Sequence, residues 1–432
     1  MFGLFSKKNY QPTVTSEDKD WVEKNIIWFI ETFGLDRLKK QPFIAPTTDN
    51  FPYSNLKDME QFQKLFEQLC SYWDLNPNEI IIKFFDDFKS KQWTTWVRPQ
   101  GKFSEPLGLY NQIYTADEQR FNIQLAKSNL NHPQLLISVI AHELAHVKLL
   151  GGNYLDVNDA DMEQLTDLAI IFFGFGVFAA NSVQTTDIYW INRSGYLPNQ
   201  LISYANALIC YITNHDAKDY ITLLNGNTVD LFKKDFEFLS KTHDTALTKE
   251  KVLECELTFK IGKQVTEGFE KRDFDEVIKA SKMSLERNPE NIAAFNNIGY
   301  ALLQQKKYQE AMEQFTKAVD IDPHWDYALN NRGYSKLQLG DFENAFLDLY
   351  HSFEMNPHNS FSWRNMGAYY LKTSEFEKAL QHFEEAEKID PKTEMINFYL
   401  GKAHLKLGNV ELAKKYFDKS KEQNEHNDSK EE

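Results

Sequence analysis

Cysteine is scarce: there are three in 432 residues, Cys70, Cys210 and Cys255, and no two form a Cys-x-x-Cys pair. That spacing excludes a disulfide framework and a paired-thiolate metal site, and it suits a reducing, cytoplasmic setting. An excess of positive charge is missing too. Lys and Arg number 48 against 63 Asp and Glu, a formal net charge of −15, which argues against a role built on phosphate contacts with nucleic acid. Long apolar runs are absent. The longest, Leu168 to Ala180, has 13 residues, too short to cross a bilayer and suited to a buried core helix. Residues Met1 to Lys8 place a short apolar stretch before a basic pair, the reverse of a secretory signal, so no export signal is expected. What remains is a hydrophobic fraction of 42% and a charged fraction of 26%, typical of a soluble globular protein with room for two or three domains.

The first part of the chain mixes helical and strand patterns. Residues 16–34 carry a broad apolar face with Ser16 as a candidate N-cap and Gly34 as a stop. Pro42, Pro46 and Pro52 mark an extended connection. A second helix is expected over about 56–73, and strands at 80–85, 93–97 and 121–125.

The chemistry concentrates after these strands. Ala141-His142-Glu143-Leu144-Ala145-His146 lies within a helical apolar pattern that starts near Asn131-His132-Pro133 and stops at Gly151-Gly152. His142 and His146 are one turn apart and share a face, so both imidazoles can reach one zinc ion, with Glu143 beside it to take a proton from water. A second helix carries Glu163 and Asp167, again one turn apart. Glu163 can serve as a third ligand, and Asp167 can hold the far nitrogen of a ligand histidine.

His142-Glu143-x-x-His146 followed by Glu163-x-x-Thr166-Asp167 resembles the thermolysin-like gluzincin metallopeptidases over about 40 residues, and is similar to bacterial proteins that carry the same two helices. The resemblance implies Zn2+ as cofactor, His142, His146 and Glu163 as its ligands, Glu143 as general base, and Asp167 as the partner of His142. It also implies a donor to the oxyanion from a later segment, where Arg193, Tyr196 and Tyr204 are candidates by position alone. By the same resemblance, Asn122 to Gln124 would line the cleft and pair with an extended peptide; a plain sheet strand is the alternative.

From about residue 258 the chain is periodic with a step of 34. Gly299, Gly333, Gly367 and Gly401 are each followed 12 residues later by Ala311, Ala345, Ala379 and Ala413. Pro323, Pro357 and Pro391 follow the first three glycines by 24 residues, and Phe315, Phe383 and Phe417 stand four after their alanines, with Leu349 in the second copy. This is similar to the tetratricopeptide repeat (TPR), a helix-turn-helix unit of that length. The frames are 292–325, 326–359, 360–393 and 394–427, with a weaker copy at 258–291 that keeps Phe274 and Pro289 but has Val265 and Val277 at the small positions. Such repeats stack into a solenoid with a concave binding face. The resemblance places Asn297, Asn331 and Asn365 in that groove, where their amides can pair with the backbone of a bound protein or peptide.

The expected fold is therefore an α+β zincin-like N-terminal domain at 1–184, a helical connector at 185–257, an all-α TPR solenoid at 258–427 and a polar tail at 428–432. The expected function is zinc-dependent peptide hydrolysis, with the repeats recruiting a substrate or regulator. The competing expectation is a TPR interaction scaffold whose N-terminal domain is not catalytic. No transmembrane segment is expected.

Overall fold

The computed structural model describes residues 10–40, 42–86, 108–114, 119–152, 154–182 and 197–422. The chain divides into two compact units, Met1–Phe259 and Lys260–Glu432.

The first unit is built from helices: α1 (Ser16–Phe33), α2 (Asp36–Lys40), α3 (Met59–Tyr72), α4 (Pro133–Leu149), α5 (Met162–Ile170), α6 (Gly176–Ser182), α7 (Asn199–Ile212), α8 (Ala217–Ile221), α9 (Asn227–Thr242) and the start of α10 (Lys249–Glu270). Among the described residues the sheet is limited to β1 (Ile80–Phe85), β2 (Gly108–Tyr114) and β3 (Gln119–Ala126). Their order is β1-β3-β2, with β1 parallel and β2 antiparallel to β3. This overturns the expected α+β zincin-like domain. Among the described side chains the strands give the buried core Ile80, Phe121, Ile123 and Leu125, with Ala126 buried beside them, whereas the large buried side chains Phe29, Phe66, Tyr204 and Phe232 all come from helices. The apolar sequence of this unit is helix-periodic over most of its length, and the core follows it. The strand expected at 93–97 lies outside the described residues.

Two local details also differ. The N-cap of α1 is Thr15, whose hydroxyl accepts from the Asp18 N–H, not Ser16. Asn131 closes a 3-10 turn, and α4 starts behind His132 with Pro133 at its first position. The segment at 185–257 is no separate connector: Ile202, Leu208, Phe238 and Cys255 belong to the same core as Phe29 and Leu144.

The apolar stretch after α5 is longer than it reads and is broken. Met162–Asn181 is long and apolar enough to cross a membrane by composition, but 78% of its most apolar 18 residues are buried within the unit. It is a core segment, interrupted by a π turn at Ile171–Phe175 where Gly174 takes a φ of 91°. Glycine alone adopts that conformation without cost. The Gly174 carbonyl accepts from the Ile44 N–H at 2.7 Å, and Arg37 donates to the Phe172 carbonyl at 3.3 Å. The break is thus closed by groups from outside the helix.

The second unit is a stack of helix pairs. After α11 (Phe274–Arg287) come α12 (Ile292–Gln304) with α13 (Tyr308–Ile321), α14 (Asp326–Leu339) with α15 (Phe342–Met355), α16 (Ser360–Lys372) with α17 (Phe376–Ile389), and α18 (Ile396–Lys406) with α19 (Val410–Glu422). Each pair closes where a glycine of the first helix meets a large apolar side chain of the second, fully buried in the first three pairs and half-buried in the fourth. A Cβ added at Gly367 would stand 2.6 Å from the Phe383 ring, and one at Gly333 would stand 2.8 Å from Leu349. The second pair, with the smaller Leu349, has an ion cluster beside it. Asp348 accepts from Arg332 at 2.7 and 2.8 Å and lies 2.7 Å from the Lys336 ammonium.

Gly367→Ala is expected to destabilise the second unit by about 1–3 kcal/mol through overpacking against Phe383. Gly262→Ala, whose Cβ meets nothing within 4 Å in α10, is expected to stabilise by about 0.5–1 kcal/mol. Thermal unfolding of the two variants checks the opposite signs.

Candidate functional site: a three-ligand cluster and a repeat groove

Helices α4 and α5 lie side by side and bring His142, His146 and Glu163 together, with one ligand atom from each within 4.8 Å of the others. The two histidine Nε2 atoms are 3.2 Å apart, and Glu163 Oε2 stands 3.4 Å from that of His142 and 3.7 Å from that of His146. Atoms bound tetrahedrally at zinc–nitrogen distances of 2.0–2.1 Å stand roughly 3.3–3.4 Å from one another. The observed spacings are therefore close to three edges of such a tetrahedron.

The far side of each ring explains why the near side is available. His142 Nδ1 lies 3.1 Å from Asp167 Oδ1, and the other oxygen of Asp167 accepts from the Leu197 N–H at 3.0 Å. His146 Nδ1 lies 3.4 Å from the Thr166 hydroxyl, whose own proton is donated to the Met162 carbonyl at 2.8 Å. Both Nδ1 atoms thus face acceptors, which assigns the proton to Nδ1 and leaves both Nε2 lone pairs pointing into the cluster. Burial pushes the His146 imidazole down to about 3, with His142 adding to the shift, so the ring is neutral at ordinary pH. Burial raises the Asp167 carboxyl, opposed by its hydrogen bond to His142. Glu143 is buried on α4 next to His142. This donor set of two neutral imidazoles and one carboxylate fits a divalent metal of the zinc type.

The structure thus brings together His142, His146, Glu163 and Asp167 as the sequence pattern suggested. Thr166 and the Leu197 N–H were not assigned roles by that pattern. Thr166 stands one turn beyond Glu163 in sequence, but its role depends on how α5 is turned against α4. The oxyanion candidates fare differently. Arg193 and Tyr196 lie outside the described residues. Tyr204 is a core residue of α7: it is fully buried, and its hydroxyl donates to Glu23 Oε1 at 2.6 Å. Burial and that carboxylate raise its pKa strongly. Asn122 of β3 is buried and pairs in register with Ile81 and Asn111, so both edges of β3 are occupied by neighbouring strands. The strand-addition role expected for 122–124 is closed off by that pairing.

In the second unit the first helices of successive pairs are neighbours, and their asparagines form a ladder. Asn331 donates to Asn296 Oδ1 at 3.0 Å, and Asn365 donates to Asn330 Oδ1 at 3.1 Å. Asn365 is fully buried and also accepts from the Arg364 guanidinium at 3.0 and 3.1 Å. These two amides are used between repeats. Asn297 instead lines a cavity of about 280 Å³ with Phe269, Arg272, Tyr300, Gln304 and Glu394.

The tetratricopeptide repeat family matches residues 292–324, and the family described as regulator of microtubule dynamics protein 1-3 matches residues 366–432. The comparison with curated proteins gives no match. Among solved structures, the chain is similar to MamA from Desulfovibrio magneticus, with 19% identity, a TM-score of 0.30, and coverage of 39% of this chain and 96% of that one. A thermophilic TPR protein of Thermus thermophilus gives 18%, 0.35, 38% and 89% in the same terms. The first TPR of Spaghetti, solved with an HSP90 peptide, gives 23%, 0.25, 27% and 93%. The 34-residue period, the helix pairs it builds and the family match make the second unit a TPR solenoid.

Tyr204→Phe is expected to destabilise the first unit by about 1–3 kcal/mol, because Glu23, which is 1% exposed and otherwise accepts from the Ala246 N–H at 2.8 Å, loses a donor. Urea unfolding measures it; unchanged stability would contradict the core assignment.

Proposed function

We propose that this chain is an interaction scaffold that takes a partner polypeptide along the concave face of its repeats and holds one zinc ion between α4 and α5. For the partner, the supporting observation is the cavity beside Asn297, whose amide makes no hydrogen bond to any described residue. A large charged side chain there would block the groove without touching the helix-pair core. Affinity capture with the full chain should recover partners that the Asn297→Arg variant loses. Identical recoveries from both would refute binding through this face.

For the metal, the spacing of three donor atoms, two of them imidazole nitrogens oriented by Asp167 and Thr166, carries the reading. A second reading, peptide hydrolysis, is favoured by Glu143, a buried carboxylate adjacent in sequence to a ligand. Zinc, when bound, supplies Lewis acidity toward a carbonyl oxygen. Glu143 would take a proton from water and pass it to the leaving amine, while Asp167 and Thr166 hold the two imidazoles in one tautomer.

Elemental analysis is expected to find about one zinc per chain, lost in His146→Ala. Thr166→Val, which removes the acceptor at His146 Nδ1, is expected to weaken zinc binding by about 10–100-fold in chelator competition. Glu143→Gln should keep the metal and lose cleavage of an unstructured protein such as casein. Metal without cleavage in the parent chain leaves the scaffold with its zinc; no metal after zinc addition removes the metal and hydrolysis readings and leaves the repeat groove to its own test.

A further inference from the structure

The repeat groove is already occupied by a side chain of its own unit. The first helices of three successive frames begin at the same place, Ile292, Asp326 and Ser360, one step of 34 apart. The fourth should begin at Glu394 but begins at Ile396, two residues late. The cause is Met395, which takes a left-handed φ of 63° and caps α18 with no side-chain hydrogen bond. Residues with a side chain adopt that conformation reluctantly, and it marks a segment held in place by its surroundings.

What holds it lies on the other repeats. Freed from its helix, Glu394 turns to α12, three repeats earlier. Its carboxylate accepts a short hydrogen bond from the Tyr300 hydroxyl and a long one, 3.4 Å, from Gln304 Nε2. Arg364 of α16 donates to the Glu394 carbonyl at 2.8 Å and stands 4.0 Å from the carboxylate. Two donors of α12 and the Arg364 cation of α16 thus converge on one carboxylate. The cavity beside it adds two more side-chain donors, Asn297 and Arg272, neither of whose side chains is hydrogen-bonded to a described residue; the Arg272 guanidinium lies over the Phe274 ring. Among the described residues Glu394 is the one acidic group in the cavity wall. With it gone, the charges at the site are Arg272 and Arg364, both positive.

We propose that Tyr300, Gln304 and Arg364 form a receptor for a carboxylate of an acidic partner peptide, and that Glu394 is a resident competitor which the partner displaces. This rests on the reading of the concave face as a partner groove and adds its chemistry and its regulation. Glu394 suits exchange. Its side chain is 34% exposed, so water already competes for it, and contacts of that kind are weak. A site that is filled by its own chain most of the time binds its partner more weakly by the fraction left open.

The test uses the full chain and a fluorescein-labelled peptide of alternating glycine and glutamate, beside its glutamine counterpart. Fluorescence anisotropy should show Glu394→Gln binding the acidic probe about tenfold more tightly than the parent, with no gain for the glutamine peptide. Tyr300→Phe added to Glu394→Gln should cancel the gain. Met395→Asn, which accommodates the left-handed turn and steadies the resident contact, should bind the acidic probe no more tightly than the parent. The proposal is overturned if Glu394→Gln binds no tighter, if the glutamine peptide gains equally, if Tyr300→Phe leaves the gain, or if Met395→Asn binds tighter. Equal binding of both peptides by every variant would remove the acidic receptor and leave the partner groove standing. Loss of the groove itself is read separately, from unchanged capture by Asn297→Arg.

Discussion

Helices in this protein reach contact distance where one of the two gives up its side chain, and both units depend on it. In the repeats, the rings of Phe315, Phe383 and Phe417 fill the space a Cβ would need at Gly299, Gly367 and Gly401. In the first unit, a Cβ at Gly176 would stand 1.8 Å from Asn206 Oδ1, and one at Gly34 would stand 2.6 Å from the Phe259 ring. Close approach increases the buried apolar area per residue and places polar groups of one helix within reach of another. The Asn206 amide, for example, donates to the carbonyls of Ile202 and Gly176 at 2.8 and 3.4 Å. Packing of this kind leaves little tolerance, so each interface is fixed before any function is built on it.

That fixity is what the three-ligand cluster requires. The His142 and His146 Nε2 atoms stand 3.2 Å apart and both face Glu163, so their meeting depends on where α4 and α5 are held. The arrangement persists because α4 and α5 are immobilised by their other contacts: Leu144 and Leu168 are fully buried in one core, and Trp21 of α1 donates to Asp161 at the head of α5 at 3.1 Å. The geometry of the cluster is thus set by the packing of the unit around it.

Sequence reading succeeded where a feature is local or repeated and failed where it is tertiary. His142 and His146 meet because four residues make about one helical turn, and Gly367 meets Phe383 because a period of 34 restates one contact four times; both facts are arithmetic. The mainly helical architecture of the first unit was not legible, and the zincin-like expectation failed, since a motif of about 40 residues fixes two helices and says nothing of the other two hundred. Asn331 and Asn365 show a subtler failure. Their helix positions are right, but whether an amide faces a ligand or the preceding repeat depends on the residue one place before it in the neighbouring frame. There, Asn296 and Asn330 offer oxygens. Thr166 and Glu394 were invisible for the same reason, each acting on a group fixed by another helix.

The fourth frame departs from the period in a way that composition alone does not reveal. Asn291 and Asn359 cap their helices through side-chain oxygens, to the N–H groups of Ala294 and Phe361. At the matching place in the fourth frame, Thr393 donates its hydroxyl backwards to the Asp390 carbonyl and caps nothing. A helix start without its cap is weaker by about 1 kcal/mol, an amount that a few polar contacts elsewhere can outweigh. The Tyr334 and Tyr399 hydroxyls, 2.8 Å apart across two repeats, hold α18 against the groove while its first turn opens. The balance between a lost cap and a gained carboxylate contact is small in either direction. An element set that close to balance is one that a ligand of modest affinity can shift.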